Sequence, residues 1–573
     1  MHNIHNNHLF NFKKIIGNMQ QNLAHVSSLI KKRTTKYPPP CKIVNNIIIG
    51  DEAPLFTDCN SFGELLFEKL KNNPHVIGQI DSVTDKRITF SEIKDRSVRC
   101  ALWLKNRGIR SGDIIGVSTH FDYTAPLLGC LFICAHFYPI HHKISIHDCR
   151  FLLSLAKPKI VFVNADMVEI MAKAAKEENL TIEFVTFGHA KGFQSFQEII
   201  QKEQDVIDDF RCTPISSLEE TALLTLSSGS VGQPKVVMLS HRALINNMLN
   251  DTMYATESQK VVMWFATLRW ITGIIMVLRS IYFCKTQIIT GIFDAEQTCK
   301  MIKKYNVEWF AISSGMFATI VKNNLFQKYC LSSLKKICVG GAAIRSQLLE
   351  TVMKALPYTE IIHVLGMCEL SGTVATQREG DKLGSVGYVL KNVQLKVIDI
   401  DTGNTLGPNK VGELLWKSPY MLTGYYNNPE ATKETLTNDG WLRSGDLGYY
   451  DEDGELYICD RITETIRVDG FMVYPTEIEN ILQDHPAIRE VAVVRIRDDI
   501  NEERPIAFVS KFPDVEVTIE ELIKLVADNL EDYKHLRGGV QFLDELPHTD
   551  TGKIARKQLR ELAKCFVSNY VTA

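Results

Sequence analysis

The chain contains no CxxC pair, no GxxxxGK[ST] or GxGxxG signature, and no uninterrupted apolar run long enough to cross a bilayer. Each absence removes a class of protein. Without cysteines at metal-ligand spacing there is no zinc framework, so the scattered fourteen cysteines read as reduced, mostly buried thiols of an intracellular protein. Of these, Cys130 and Cys134 have the spacing that puts two thiols on one helical face, with no further ligands nearby. Without the glycine signatures neither a P-loop nor a dinucleotide-binding turn is present. Without about 20 consecutive apolar residues no transmembrane helix is expected. Charge of one sign is also lacking: 64 Lys and Arg against 67 Asp and Glu leave a formal net charge of −3, which offers no global attraction to nucleic acid or an anionic membrane. The substrate must therefore be recognised locally.

The first fifty residues have no Asp or Glu, while Lys13, Lys14, Lys31, Lys32, Arg33, Lys36 and Lys42 give that stretch a charge of +7. Two readings fit this basic extension, residues 1–46. One is a targeting peptide, mitochondrial in character; the other is a disordered extension, with Met19 as an alternative start of translation. At the other end, Tyr570 to Ala573 does not match the Ser-Lys-Leu peroxisomal tripeptide. His136, His141, His142 and His147 lie close in sequence but lack regular ligand spacing, so no metal site is expected there.

At 573 residues the chain is too long for a single core, and two or more domains are expected. From Arg87 onward helical and strand-like stretches alternate. Helical spacing runs from Phe90 to Arg107, and short apolar strands are predicted at 113–117, 159–163, 307–312, 336–339 and 361–365. Repeated βα units imply a largely parallel sheet covered by helices. Two of these strands end in glycine turns, at Gly340-Gly341-Ala342-Ala343 and Gly366-Met367-Cys368-Glu369. Ligands in such folds bind beyond the carboxyl ends of strands, which makes both turns candidate site walls. After Val393 the pattern changes to short turn-punctuated strands. A last α+β segment begins near Arg461, with strands at 491–496 and 505–509 and a helix predicted over Thr518 to Tyr533 behind a Thr518–Glu521 capping box.

The most informative stretch is Ser227-Ser228-Gly229-Ser230-Val231-Gly232-Gln233-Pro234-Lys235, which follows the apolar run 222–226. Hydroxyls and unshielded backbone N–H groups can wrap phosphate oxygens where no Cβ holds the backbone away, and a lysine at the rim supplies compensating charge. Taken alone, the same residues also suit an ordinary turn between a strand and a helix. Downstream come Gly440-Trp441-Leu442-Arg443-Ser444-Gly445-Asp446, Asp460-Arg461, Gly470, and Pro547-His548-Thr549-Asp550-Thr551-Gly552-Lys553-Ile554. Tyr425-Tyr426-Asn427-Asn428-Pro429-Glu430-Ala431-Thr432-Lys433 lies between the two groups. Together these motifs resemble the adenylate-forming, AMP-binding superfamily of acyl-CoA synthetases, coumarate-CoA ligases and beetle luciferases. The likeness runs over roughly Ile47 to Leu562 and is closest to insect luciferase-like acyl-CoA synthetases.

The resemblance implies an α/β fold with a large N-terminal domain (47–460) of βα layers and a β-rich part, a small mobile α+β C-terminal domain (461–565) and a tail (566–573). It also implies a chemistry. A carboxylate attacks the α-phosphorus of ATP, giving an acyl-adenylate and pyrophosphate, and the thiol of coenzyme A then displaces AMP, with Mg²⁺ bridging phosphate oxygens. By resemblance, Ser227, Ser228, Gly229, Ser230, Gly232 and Lys235 hold the β- and γ-phosphates, and Glu369 binds the metal. Asp446 takes the ribose hydroxyls and Arg461 supports the nucleotide. Gly340, Gly341, Ala342, Gly366, Met367 and Cys368 line the nucleotide side; Trp270, Thr272, Gly273 and Phe317 line the acyl pocket, with Ile274, Ile275 and Met276 nearby. Lys553 reaches the α-phosphate and carboxylate oxygens, and Arg467 stands where a second lysine serves the thiolation step. Lys553 lies over three hundred residues from the phosphate loop, so adenylation requires domain closure. Family members are often peroxisomal.

The departures matter as much. Ser230, Val231 and Val236 replace Thr, Thr and Gly of the usual phosphate loop. Leu365 and Cys368 replace an aromatic platform and a threonine. Thr463 replaces a hinge lysine. Trp270 stands where relatives carry a histidine associated with luciferin chemistry, which argues against light production. The reading is an ATP-dependent acyl-CoA synthetase for a hydrophobic acid, a medium- or long-chain fatty acid. Its alternatives are a catalytically weakened nucleotide-binding paralogue and a luciferase-like monooxygenase.

Overall fold

The βα rhythm of the first half builds two largely parallel sheets. The computed structural model describes residues 38–570, apart from 57–58, 120–122, 143, 203–206, 208, 228–233, 251–257, 269, 343, 345, 469–470, 498–502, 514 and 550–552. The first sheet runs, in order, Gly424–Tyr425, Lys235–Ser240, Thr221–Ser227, His136–Pro139, Ile114–Ser118, Ile160–Asn164, Glu183–Phe187 and Gln194–Ser195. It is parallel from Thr221–Ser227 onward and antiparallel at the opposite edge. The second has nine strands, six of them parallel and adjacent, from Glu360–Met367 through Lys336–Gly340 and Trp309–Ser313 to Ile77–Asp81. The central strands Ile114–Ser118 and Ile160–Asn164 are almost wholly buried and rich in Val and Ile.

Helices between strands start and stop where local chemistry dictates. Phe90–Asn106 opens on a capping box in which Thr89 and Glu92 satisfy each other's backbone N–H groups, and its inward face buries Ile93, Val98, Trp103 and Leu104. Each such fully buried aliphatic side chain contributes about 1.5–3 kcal/mol relative to exposure. The Thr518–Glu521 box is formed as well, but its helix is Ile519–Asn529, shorter than expected. Leu530 turns extended, and a separate short turn at Asp532–Lys534 follows. Cys130 and Cys134 do not share a helical face. The helix Thr124–Phe132 ends before Cys134, which adopts φ +57°.

From Gln394 the chain forms an antiparallel sheet of Gln394–Ile398, Gly412–Lys417, Leu442–Tyr450 and Leu456–Arg461, joined at one edge by Ile47–Gly50 and Cys41–Val44. Beyond Arg461 a small α+β unit carries its own core. A hairpin, Ile466–Val468 with Phe471–Val473, precedes a three-stranded sheet of Ile488–Arg497, Glu503–Lys511 and Val540–Phe542, flanked by Pro475–Gln483, Ile519–Asn529 and Arg556–Tyr570. This unit docks on the larger part. The Lys322 ammonium, from the helix Ser314–Lys322, donates to the carbonyls of Ile488 and Arg489 at 3.1 and 3.0 Å. No described helix is long and apolar enough to cross a membrane.

Candidate active site

The glycine- and serine-rich loop joins two strands, not a strand and a helix. Thr221–Ser227 pairs antiparallel with Lys235–Ser240, and Ser227 lies directly opposite Lys235. Ser228, Gly229, Ser230, Val231 and Gly232 lie outside the described residues, but both feet of the loop are fixed. Ser227 is buried; the Lys235 ammonium stands 5.0 Å from the centre of the Tyr425 ring, on the next strand of the same sheet.

Tyr425 links this lysine to the expected metal ligand. Its hydroxyl donates to Glu369 Oε1 at 3.0 Å, and the Glu369 carbonyl accepts from Leu422 N at 2.8 Å. Burial first, and the Glu369 charge second, raise the Tyr425 phenol well above its ordinary value, so it stays a donor. Glu369 sits in a single 3₁₀ turn, Cys368–Leu370, at the carboxyl end of Glu360–Met367. Its hard carboxylate oxygens suit a cation that bridges phosphates, and Oε1 is the one already engaged. Tyr425 is a residue to which sequence reasoning gave no role, although it lay inside a quoted motif.

Cys368 is buried beside it. Its thiol donates to the Leu226 carbonyl at 3.5 Å, tying the turn to the strand that feeds the phosphate loop. Burial, reinforced by Glu369, pushes this thiol up to about 12, so it is an inert neutral group and not a nucleophile. Gly366 and Met367 lie within the strand itself; a Cβ at Gly366 would meet the Gly372 carbonyl oxygen at 2.8 Å. On the neighbouring parallel strand Gly340 pairs with Val364, followed by Gly341 at φ +95° and the exposed Ala342. The Ala342 carbonyl accepts from His363 Nε2 at 3.0 Å, which fixes the turn to the strand beside it.

The antiparallel sheet supplies the opposite wall. Asp446, only 8 % exposed, faces Arg461 across the ladder, and Arg461 Nε lies 2.6 Å from Asp446 Oδ1. Ser444 completes this corner: its hydroxyl accepts from Asp446 N at 3.1 Å, and its carbonyl accepts from the Arg461 guanidinium at 3.1 Å. Burial raises the Asp446 carboxyl above the usual range; Arg461 and then Lys553 oppose that rise, while Glu369 and Asp460 add to it.

Lys553 comes from the small unit and reaches this corner. Its carbonyl accepts from Thr549 N at 2.7 Å and from the Thr549 hydroxyl at 3.1 Å, closing the loop that carries it. The ammonium stands 4.7 Å from the centre of the Trp270 ring. Lys553 keeps solvent-accessible surface yet is surrounded by protein on most sides, as befits a side chain in a cleft. That burial lowers its pKa, Arg461 lowers it further, and Cys368 and Asp446 pull the other way. Trp270 is the N-cap of the helix Ile271–Tyr282. Its N–H donates to the Thr267 carbonyl at 3.1 Å, and its own carbonyl accepts from Gly273 N at 2.9 Å. Gly273 is required by close approach, since a Cβ would sit 2.4 Å from the Thr267 oxygen; Thr272 is exposed.

Two expected residues stand elsewhere. Phe317 is fully buried against Phe326, ring centres 5.9 Å apart, and belongs to the core under the second sheet and not to an open acyl pocket. The neighbouring Ile274, Ile275 and Met276 are likewise buried. Arg467 lines a separate cleft with Ile400, Ile462, Thr465, Met472, Arg495 and Glu503, and its N–H donates to Glu503 at 2.9 Å. Asp446, Arg461, Glu369, Cys368, Trp270 and Lys553 are the residues brought together.

Comparison with known proteins places the chain in a family. The profile of the AMP-binding enzyme matches residues 66–426, and that of the AMP-binding enzyme C-terminal domain matches residues 477–553. The chain belongs to the AMP-binding enzyme family. Luciferin 4-monooxygenase of Photuris pensylvanica is 30% identical over 534 residues, covering 90% of this chain and 98% of that protein. 4-Coumarate–CoA ligase 3 of Oryza sativa subsp. japonica is 29% identical over 508 residues, covering 86% and 90%. In fold, ATP-bound MatB from Rhodopseudomonas palustris matches with a TM-score of 0.80 at 22% identity, over 88% of this chain and 100% of that one. This AMP-binding chain thus has the adenylate-forming fold, with a large N-terminal and a small C-terminal domain.

Proposed function

We propose that this chain is a Mg·ATP-dependent acid–thiol ligase that joins a hydrophobic carboxylic acid, a medium- or long-chain fatty acid, to coenzyme A through an acyl-adenylate. The observation that carries the reading is the arrival of Lys553, from the small domain, in the corner shared by Asp446, Arg461 and Cys368. A carboxylate attacking the α-phosphorus brings negative oxygens together, and a cation held in a partly dry cleft stabilises that build-up more than it would in water.

Each residue then has a task. Lys553 donates to the carboxylate and α-phosphate oxygens. Asp446 accepts from the ribose hydroxyls, and Arg461 favours its ionised form. The feet of the phosphate loop, Ser227 and Lys235, frame the outer phosphates. Glu369, oriented by Tyr425, would hold Mg²⁺, which when bound neutralises phosphate charge. Trp270 is half-buried and gives the acyl side an apolar face. Arg467, in its separate cleft, is assigned to the thiolation arrangement, which follows a swivel near 460–463.

Cys368 favours a second reading, a nucleotide-binding protein with weakened catalysis, because its thiol faces the Leu226 carbonyl and offers no hydroxyl to a phosphate. Incubation with ATP, Mg²⁺, coenzyme A and a panel of acids separates the readings. The ligase yields AMP and an acyl-CoA thioester in equal amounts with medium- or long-chain acids. ATP binding without AMP release selects the weakened protein, and acid-dependent O₂ consumption selects a luciferase-like oxygenase.

A further inference from the structure

We propose that Trp270 is a positioning residue for Lys553, its indole face holding the lysine ammonium in the cleft so that the N–H groups point at incoming oxygens. The inference rests on the adenylation reading given above.

Among the described residues the Lys553 ammonium makes no hydrogen bond or ion pair, and the aromatic ring 4.7 Å away is its direct neighbour. The charges around it act in both directions, Asp446 attracting the ammonium and Arg461 repelling it. Asp446 Oδ1 is already taken by Arg461 Nε at 2.6 Å, Arg461 repels the lysine, Cys368 is a neutral thiol, and Glu369 beside Asp446 is bound by the Tyr425 hydroxyl. Trp270 also caps the N-terminus of Ile271–Tyr282, the positive end of that helix dipole, so the ring is what makes the position tolerable for a cation.

The backbone that carries the ring is fixed. Trp270 N–H is tied to the Thr267 carbonyl, Gly273 N–H to the Trp270 carbonyl, and Gly273 is jammed against the carbonyls of Ala266 and Thr267. A cation–π contact consumes none of the ammonium's N–H donors. It leaves lysine N–H groups for a carboxylate and a phosphate, while an acidic partner would compete with both. Indole also neither gains nor loses a proton near neutral pH, so it cannot discharge the lysine. The two side chains come from different domains, so the contact bridges them.

The test uses the full-length protein as wild type, Trp270→Phe and Trp270→Leu. The rate of Lys553 labelling by an amine-reactive ester is read at fixed pH by peptide mass spectrometry, with exposed Lys557 of the same domain as internal reference. Loss of the aromatic face in W270L should raise Lys553 labelling by about tenfold and leave Lys557 unchanged, while W270F, which keeps a ring, stays within about twofold of wild type. In acid-dependent pyrophosphate exchange, W270L should lose about tenfold in kcat with KM for ATP unchanged, and W270F should recover most of it. Lys553 labelling in W270L within twofold of wild type overturns the proposal, as does equal loss in both variants. Wild-type protein that shows no exchange defeats the adenylation reading, and the labelling then decides the positioning role by itself.

Discussion

Asp446 and Arg461 face each other across two antiparallel strands, with guanidinium Nε 2.6 Å from carboxylate Oδ1. The pair opposes the neutralisation that burial favours at this carboxyl. Burial alone favours the neutral acid, and the positive charge of Arg461 is the largest opposing influence. Arg461→Ala should therefore raise the Asp446 pKa further, shrinking its ionised fraction at any given pH. The acid limb of the pH–rate profile should move upward, and KM for ATP should rise about tenfold, the cost of weakening a hydrogen bond to a charged group. An unmoved acid limb would show that Asp446 is not the group whose ionisation is needed.

Acid stability follows from two buried histidines. Burial lowers both His241, which accepts from Phe62 N at 3.1 Å, and His363, which donates to the Ala342 carbonyl, from the ordinary 6.5 to about 4. Each is neutral when folded and takes a proton when unfolded below pH 6.5, so the unfolded state binds more protons there. The stability they contribute is complete above pH 6.5 and is lost as pH falls toward 4. Melting temperature should fall steeply across that window, and His241→Gln should make the fall shallower. Parallel curves for the two proteins would contradict this.

Gly273, in the first turn of the Trp270 helix, packs directly against the preceding loop. A Cβ there would lie 2.4 Å from the Thr267 carbonyl oxygen and 2.8 Å from that of Ala266, neither of them a flexible side-chain end. Gly273→Ala should destabilise the protein by about 1–3 kcal/mol through forced backbone displacement, measurable by urea unfolding.

Cys368→Thr returns a hydroxyl to the turn that carries Glu369. Exchange activity should rise several-fold if the missing oxygen limits the wild-type rate. Alkylation provides a companion check. With its thiol buried and raised to about 12, Cys368 should resist iodoacetamide under conditions that modify exposed Cys330, whose pKa lies below the ordinary thiol value.

Period and capping made most regular elements legible in the sequence. The apolar strands appear within one or two residues of their expected positions, because strands buried on both faces have few ways to be written. Ends set by tertiary contacts were not legible: Leu530 leaves its helix early, and Cys134 takes a left-handed turn. The motif residues Asp446, Arg461, Glu369 and Lys553 converge although they span two domains. Phe317 is packed in the core, and in sequence an apolar side chain looks the same whether it lines a pocket or fills a core. Tyr425 was missed because a tyrosine between a lysine and a carboxylate distant in sequence has no local signature. The Trp270–Lys553 contact is likewise invisible until two domains are packed together.

The most direct test of the central claim is exchange of labelled pyrophosphate into ATP with Mg²⁺, measured across short, medium, long and aromatic acids in wild type and Lys553→Ala. The account predicts exchange with medium- or long-chain acids in the wild type, and its abolition in K553A with ATP binding largely intact. Unchanged exchange in K553A, or ATP binding with no exchange for any acid, would contradict it.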